Sequence, residues 1–448
     1  MKENTMNMTV GSPIRLLIVF AIPMMIGNIF QQLYNVVDSI IVGRLVGAQA
    51  LAAIGATNSI TFLFFALCNG IGSGGGVITS QQFGKGDTSQ VKSCIANTGY
   101  IMVAFPLIVG TAAFFLAKPL LLLLQTPEDI MLDAVRYTRI MCVGLMFVSV
   151  YNYVSSMLRA LGDSKSPLYF LIFSCILNTI LDIVFVKYLH MSVVGAGIAT
   201  LISQLISGGL CLAYAFKFNS YFKLEKKDLR FNREIVKATI KLGVPFSLQF
   251  SMIAISCMAL QRVVNTFGAV AVAAFTATSR IEQLIHQPYQ TLAAALSTYC
   301  GQNYGASKND RVIVGYRRSL LMMTIFTLIM LPIMQFFGAQ ITSIFVKDPD
   351  VIAMGARAMQ ITSWFYIFLG LIYIVRGVLN GLGDAFFALL NGIVEVIGRF
   401  FVPILLVAVP AIGVWGIWWS VGIVWFFSGF TAWLRYIWYK KKKMVLNQ

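Results

Sequence analysis

Ionisable side chains buried in apolar stretches are where this chain could do chemistry. Asp38, Asp182, Glu282, Glu395, Arg280, Arg399 and His286 each fall in a run long enough to cross a bilayer. A charge there is costly and points to a function. Asp38 lies about five residues before the outer end of the first run, and Asp182 about six before the outer end of the fifth. Thr200 stands about seven residues into the sixth run. At ~1.5 Å of rise per residue, all three sit roughly 8–11 Å below one boundary. Asn178 is four residues from Asp182, hence on the same helix face one turn deeper. Two carboxylates, an amide and a hydroxyl at one depth suit Na⁺. Two nearby carboxylates in low dielectric also suit a shared proton. The competing reading is that both acids reach interfacial water and bind nothing. The coincidence of Asn178 and Thr200 argues against it.

Glu282 and Glu395 fall nearer the midplane. Glu395 and Arg399 are four apart and can pair as a structural salt bridge. Arg280 and Glu282 are two apart, so they face opposite sides of a helix. Glu282 is then either free to face a cavity and attract a cationic substrate, or paired with Arg399. His286, one turn from Glu282, reads as a satisfied buried histidine, with a proton relay as the alternative. Pro23 inside the first run should kink it and serve as a hinge. Met24, Met25, Gln31, Tyr34, Gln249, Met252 and Met258 line the first and seventh runs with soft or amphipathic groups. Met24, Gln31, Tyr34, Gln249 and Met252 are taken, with Glu282, as a candidate substrate cavity. Ordinary helix packing is the alternative for each.

The elements that must position these groups follow from composition. Of 448 residues, 58% are hydrophobic and 11% charged, with a mean hydropathy of +0.79. A soluble domain carries about 25% charged residues. Soluble enzymes, disordered scaffolds and secreted disulfide-rich proteins are therefore excluded. Twelve apolar stretches, the first at 14–42 and the last at 413–437, predict an all-α polytopic membrane protein. The net charge of +17 is explained by topology and not by nucleic acid. A roughly three-to-one excess of Lys and Arg on one side places both termini in the cytoplasm. Lys2 and Lys440 to Lys443 contribute to that excess.

A polar, basic segment at 217–236 divides the chain into a lobe at 1–216 and a lobe at 237–448. The two halves repeat at an offset of 221: Gly47 with Gly268, Thr57 with Thr278, Leu161-Gly162-Asp163 with Leu382-Gly383-Asp384. Six spans per half make the repeats parallel, about an axis along the membrane normal. Paired lobes of this kind suit a transporter that alternates access. At the positions equivalent to Asp38, Asn178, Asp182 and Thr200 the second half has Ala259, Arg399, Pro403 and Val421, so a cation site at this depth belongs to the first half alone.

Other chemistries fit poorly. The seven cysteines form no CxxC and read as small buried hydrophobes. Gly72-Ser73-Gly74-Gly75-Gly76 lacks the following Lys of a phosphate loop and reads as close helix packing. The first apolar run has no cleavage signal and reads as a retained helix. His190 and His286 lack ligand spacing, which disfavours a membrane enzyme or a metal centre beyond bound Na⁺. No filter-like loop suggests a channel.

The chain resembles the multidrug and toxic compound extrusion (MATE) transporters over nearly its whole length. The resemblance rests on IPMMIGNIFQQLYNVVDSIIVGRLVGAQALAAIG, SQQFGKGD, LRALGDSKSPL, Asn178-x-x-x-Asp182 and the doubled six-helix pattern. It implies two six-helix lobes around a central cavity and efflux driven by entry of H⁺ or Na⁺. In the DinF-like branch the cation site comprises an Asp on the first helix, an Asn and an Asp on the fifth and a Thr on the sixth. Asp38, Asn178, Asp182 and Thr200 match these. In the NorM-like branch an acid on the seventh and another on the tenth helix form a second-lobe site, and neither span here offers one. The expectation is therefore a monomeric antiporter without cofactor in a bacterial plasma membrane. It would export lipophilic cations, with a lipid or lipid-linked saccharide flippase as the alternative.

Overall fold

In a computed structural model the described residues are 4–124 and 126–445, and they form a helical membrane protein. Lys2, counted in the charge balance, lies outside them. The helices run α1 (Pro13–Leu45), α2 (Ala48–Lys85), α3 (Thr88–Leu123), α4 (Glu128–Ala160), α5 (Lys165–Asp182) and α6 (Ser192–Phe218) in the first half. The second half holds α7 (Arg233–Asn265), α8 (Gly268–Gly305), α9 (Asn309–Phe336), the short α10 (Gly338–Ser343), α11 (Pro349–Ser363), α12 (Tyr366–Gly381), α13 (Ala385–Val407) and α14 (Gly416–Tyr439). In lipid every backbone polar group needs an internal partner, and an unbroken helix supplies it.

Among the described residues ten helices are long and apolar enough to cross a membrane, and α11 with α12 makes an eleventh span bent by 55°. The sequence reads that pair as one straight stretch, and the break at Trp364-Phe365 carries no Pro or Gly to announce it. The remaining long helix, α8, has 38 residues. Arg280, Glu282 and His286 make it too polar to pass on composition.

The repeat is visible in the backbone. α1 and α7 both have 33 residues, and α2 and α8 both have 38. Gly162 and Gly383 adopt left-handed φ of 87° and 79°, a conformation open to glycine without a Cβ penalty. The next residue in each case caps a helix start. Asp163 Oδ1 accepts from the Lys165 and Ser166 amides at 3.1 and 2.9 Å, and Asp384 Oδ1 accepts from the Phe387 amide at 3.3 Å. Arg435 grips Asp384 through two bonds of 2.7 and 3.1 Å. Its equivalent in the first half, Tyr214, instead accepts from Ser166 Oγ at 3.0 Å.

Contacts divide the chain into two compact units. Unit 1 comprises Met1–Met8 and Val19–Ser247; unit 2 comprises Thr9–Ile18 and Leu248–Gln448. Each unit thus includes the opening segment of the other half's first helix. In unit 2, Lys308 Nζ donates to the Thr9 carbonyl and Arg311 Nη2 to the Gly11 carbonyl, both at 3.0 Å. In unit 1, Asn97 holds the Arg230 carbonyl at 3.1 Å and the Asn232 amide at 2.8 Å. Thr9 and Arg230, and Gly11 and Asn232, are repeat equivalents at the offset of 221. The glycine run of α2 explains how α7 fits there. A Cβ on Gly74 would stand 2.6 Å from the Gly243 amide nitrogen, and Ser247 Oγ donates to the Leu67 carbonyl at 2.6 Å. Small residues let two backbones meet, as lipid-embedded packing requires.

Candidate functional site

Unit 1 gathers the four residues expected to bind a cation. α5 presents Asn178 and Asp182 on one face, 1% and 0% exposed respectively. With its amide oriented to satisfy both ends, Asn178 donates to Asp182 Oδ2 at 2.7 Å. Its oxygen then accepts from the Thr200 amide at 3.1 Å. Thr200 is held in place by the Ala196 carbonyl one turn back on α6, at 3.1 Å. Asp38 on α1 comes within hydrogen-bonding reach of Asp182. Oδ1 of each carboxylate is buried and has no hydrogen-bond partner.

The geometry adds two tyrosines. Tyr34 is one turn from Asp38 on α1, and its hydroxyl lies 3.4 Å from Thr200 Oγ1. Tyr34, read from the sequence as a substrate-cavity residue, thus also reaches the Thr200 group. Tyr137 on α4 lies near both carboxylates. It packs with Val42, Ala50, Ile54, Met141, Val186, Val193 and Ala196 in an apolar wall beside the acids. Sequence reasoning passed over Tyr137, because an isolated tyrosine in an apolar run gives no polar signal. Directly after Asp182 the helix loosens into a π turn, Ile183–Tyr188, a local widening frequent at functional sites.

The other candidates are more dispersed. On α1, Pro23 is buried, Met24 half-buried and Gln31 exposed, and the helix continues through Pro23. In unit 2, Gln249 is buried, with Nε2 3.5 Å from Asn391 Oδ1. Met252 on the same helix packs against Gly392.

Glu395 pairs with Arg399 at 3.8 Å, but its shorter partner is Arg376 at 3.0 Å. Arg376 is a buried residue of α12. The signal was an arginine inside the apolar run YIVRGVLNG. Glu282 makes no ion pair among the described residues, although it lies near Arg399 and Thr362. His286 is half-buried, and its buried Nε2 has no hydrogen-bond partner. Six cysteines are buried, whereas Cys257 is exposed and accepts from Arg399 Nη1 at 2.8 Å. Among the described residues no three His, Cys, Asp or Glu side chains group as a metal centre. A monovalent ion at Asp38 and Asp182 would draw on two carboxylates and neutral oxygens.

The MatE family profile matches residues 23–184 and again 245–405, one match in each half. The chain belongs to the MatE family. MatE proteins are transporters and not enzymes. Probable multidrug resistance protein YpnP of Bacillus subtilis (strain 168) is 30% identical over 447 residues, covering 98% of both chains. Multidrug export protein MepA of Staphylococcus aureus (strain MSSA476) is 22% identical, over 90% of this chain and 88% of MepA. Among solved structures, a MOP superfamily transporter from Pyrococcus furiosus superposes with a TM-score of 0.90 at 22% identity, covering 99% of this chain and all of that one. A MATE structure in a bent conformation gives 0.89 at 23% identity, over 98% of each chain. These likenesses show the MatE fold with its two lobes.

Proposed function

We propose that this MatE protein is a secondary antiporter that exports lipophilic, cationic compounds in exchange for H⁺ or Na⁺. The observation that carries the reading is the contact between Asp38 and Asp182 within an apolar bundle. Two carboxylates so close cannot both stay ionised without a counter-cation. A proton shared between them, or a Na⁺ held with Asn178 and Thr200, resolves the repulsion. The relatives' names support efflux of drugs. No cofactor enters this scheme, and the coupling ion is itself a transported species.

The cycle follows from charge. With the site ionised, the protein takes up its cationic solute from the cytoplasm. Loading of the external cation neutralises Asp38 and Asp182, relieves the restraint on α1, and lets that helix repack near Pro23 as the solute leaves. Met24, Gln31, Tyr34, Gln249, Met252 and Glu282 are the residues proposed to meet the solute. The protein works as a monomer in a bacterial plasma membrane, with both termini cytoplasmic and no nucleic-acid partner.

A lipid or lipid-linked saccharide flippase would need free basic groups for phosphate. Arg399 is instead committed to Glu395 and Cys257, which favours the antiporter. The test is efflux of a fluorescent organic cation from proteoliposomes under an imposed pH or Na⁺ gradient. Efflux should follow one gradient and be lost in Asp38→Asn and Asp182→Asn. Normal transport by folded variants would sink the reading.

A further inference from the structure

Unit 2 buries a second set of ionisable groups that the proposed coupling site does not use. Glu282 and His286 lie four residues apart on α8, hence on one face. Glu282 Oε1 and His286 Nε2 are both buried, and neither has a hydrogen-bond partner. The surrounding helices supply the groups that face them, and those that bind Arg399 and Tyr373 beside them. α7 brings Cys257, which binds Arg399. α11 brings Thr362 and α12 brings Tyr366 beside Glu282. Tyr373 of α12 and Trp425 of α14 set their rings edge-on to His286, with centroids 6.1 and 5.7 Å away. α13 brings Glu395 and Arg399. Arg376 of α12 lies over the Tyr373 ring at 5.5 Å.

The charges in this cluster are unevenly committed. Both arginines spend themselves on Glu395, at 3.0 and 3.8 Å. Arg376 also donates to Asn391, and Arg399 to Cys257 and Ser256. Glu282 feels Arg399 only at a distance and takes no ion pair. A buried carboxylate without a direct counter-ion gains by taking up a proton. The imidazole nitrogen one turn away is a buried group in need of a partner and a natural relay for that proton. Glu282 is only half-buried, which leaves it a route for exchange.

We propose that Glu282 and His286 form a second proton-binding site, confined to unit 2 and loaded independently of Asp38 and Asp182. A carboxylate oxygen of Glu282 takes a proton from water as an O–H, and the same bond breaks when the proton returns to water. With Glu282 ionised, two arginines meet two carboxylates and the cluster is neutral. With Glu282 protonated, one positive charge is in excess. A proton and an organic cation would then exclude one another here by charge, a consequence that rests on the cationic-substrate reading.

The test is a pH titration of purified full-length protein, reading the C=O band of protonated carboxylic acids by infrared difference spectroscopy. Above the pH range in which the exposed carboxylates titrate, wild type should show two carboxyl components. Glu282→Gln should delete one and keep the component that Asp38→Asn or Asp182→Asn removes. His286→Gln should move the midpoint of the Glu282 component by about one pH unit, a tenfold change in proton affinity, without deleting it. A band identical in Glu282→Gln and wild type would overturn the proposal, making Glu282 a permanent ion balancing Arg399. If Glu282→Gln does not fold, Glu282→Asp serves instead. A displaced component then supports the site, and an unchanged spectrum overturns it. Because the Asp38 component is read separately, failure of the coupling site and failure of this one give different spectra.

Discussion

Replacing Asn178 with Ala or Leu should reveal which ion drives transport. The Asn178 amide donates to Asp182 Oδ2 at 2.7 Å and its oxygen meets the Thr200 amide at 3.1 Å, in a place that is 1% exposed. A hydrogen bond to a charged group is worth about 1.5–3 kcal/mol. That is roughly one to two tenfold steps in an equilibrium, or about one to two pH units. The loss acts in opposite directions on the two candidate ions. Without the donor, ionised Asp182 is less stable and the protonated form is favoured. A proton-driven transporter should therefore show its pH midpoint displaced upward by about one to two units. A Na⁺ site would instead lose one of its neutral oxygens, and half-saturating Na⁺ should rise about tenfold to a hundredfold. Thr200 keeps its bond to the Ala196 carbonyl, so the surrounding backbone should survive. The assay is organic-cation transport in proteoliposomes, at varied pH without Na⁺ and at varied Na⁺ at fixed pH. A folded variant with both curves within about twofold of wild type would refute the assignment of Asn178 to the coupling site.

Other expectations concern stability. Gly74→Leu would drive a side chain into the Gly243 backbone, 2.6 Å from the added Cβ. It should cost about 1–3 kcal/mol or more, read as a fall in melting temperature in detergent, and Gly55→Ala, with open space around its Cβ position, should not. Arg435→Ala removes both bonds to the buried Asp384 and should destabilise by about 3–5 kcal/mol. In Asp384→Asn the same substitution should cost less, as a double-mutant cycle would measure. Gly162→Ala combines a left-handed φ of 87° with a Cβ directed at the Met6 carbonyl. It should free residues 4–8 for proteolysis at protease levels that leave wild type intact.

The grouping of Asp38, Asn178, Asp182 and Thr200 was legible because each clue was local. The Asn178–Asp182 spacing fixes one helix face, and counting residues from the helix ends fixes depth. Rotation about a helix axis is not local. That is why the proximity of the Tyr34 hydroxyl to Thr200, and the place of Tyr137 near both acids, are not legible in the sequence. Arg376 falls inside the apolar stretch that becomes α12, but its pairing with Glu395 of α13 is a contact between helices that no local spacing announces. The bend between α11 and α12 has no breaker residue, and the π turn after Asp182 has no sequence signature. Both depend on packing. The doubled sequence, by contrast, announced the doubled fold, since Gly162 and Gly383 keep the same backbone conformation.

Each unit takes in the opening segment of the other half's first helix, and this bears on how such a chain could arise. Half a chain, expressed alone, would lack a piece of its own unit and would carry a piece meant for another. Two identical halves could make good the deficit only by trading those pieces, as in a domain-swapped dimer. A gene duplication joining them would turn an exchange between molecules into one within a single polypeptide. Splitting the gene at the polar segment should therefore yield fragments that are insoluble apart and recover a folded protein when made together.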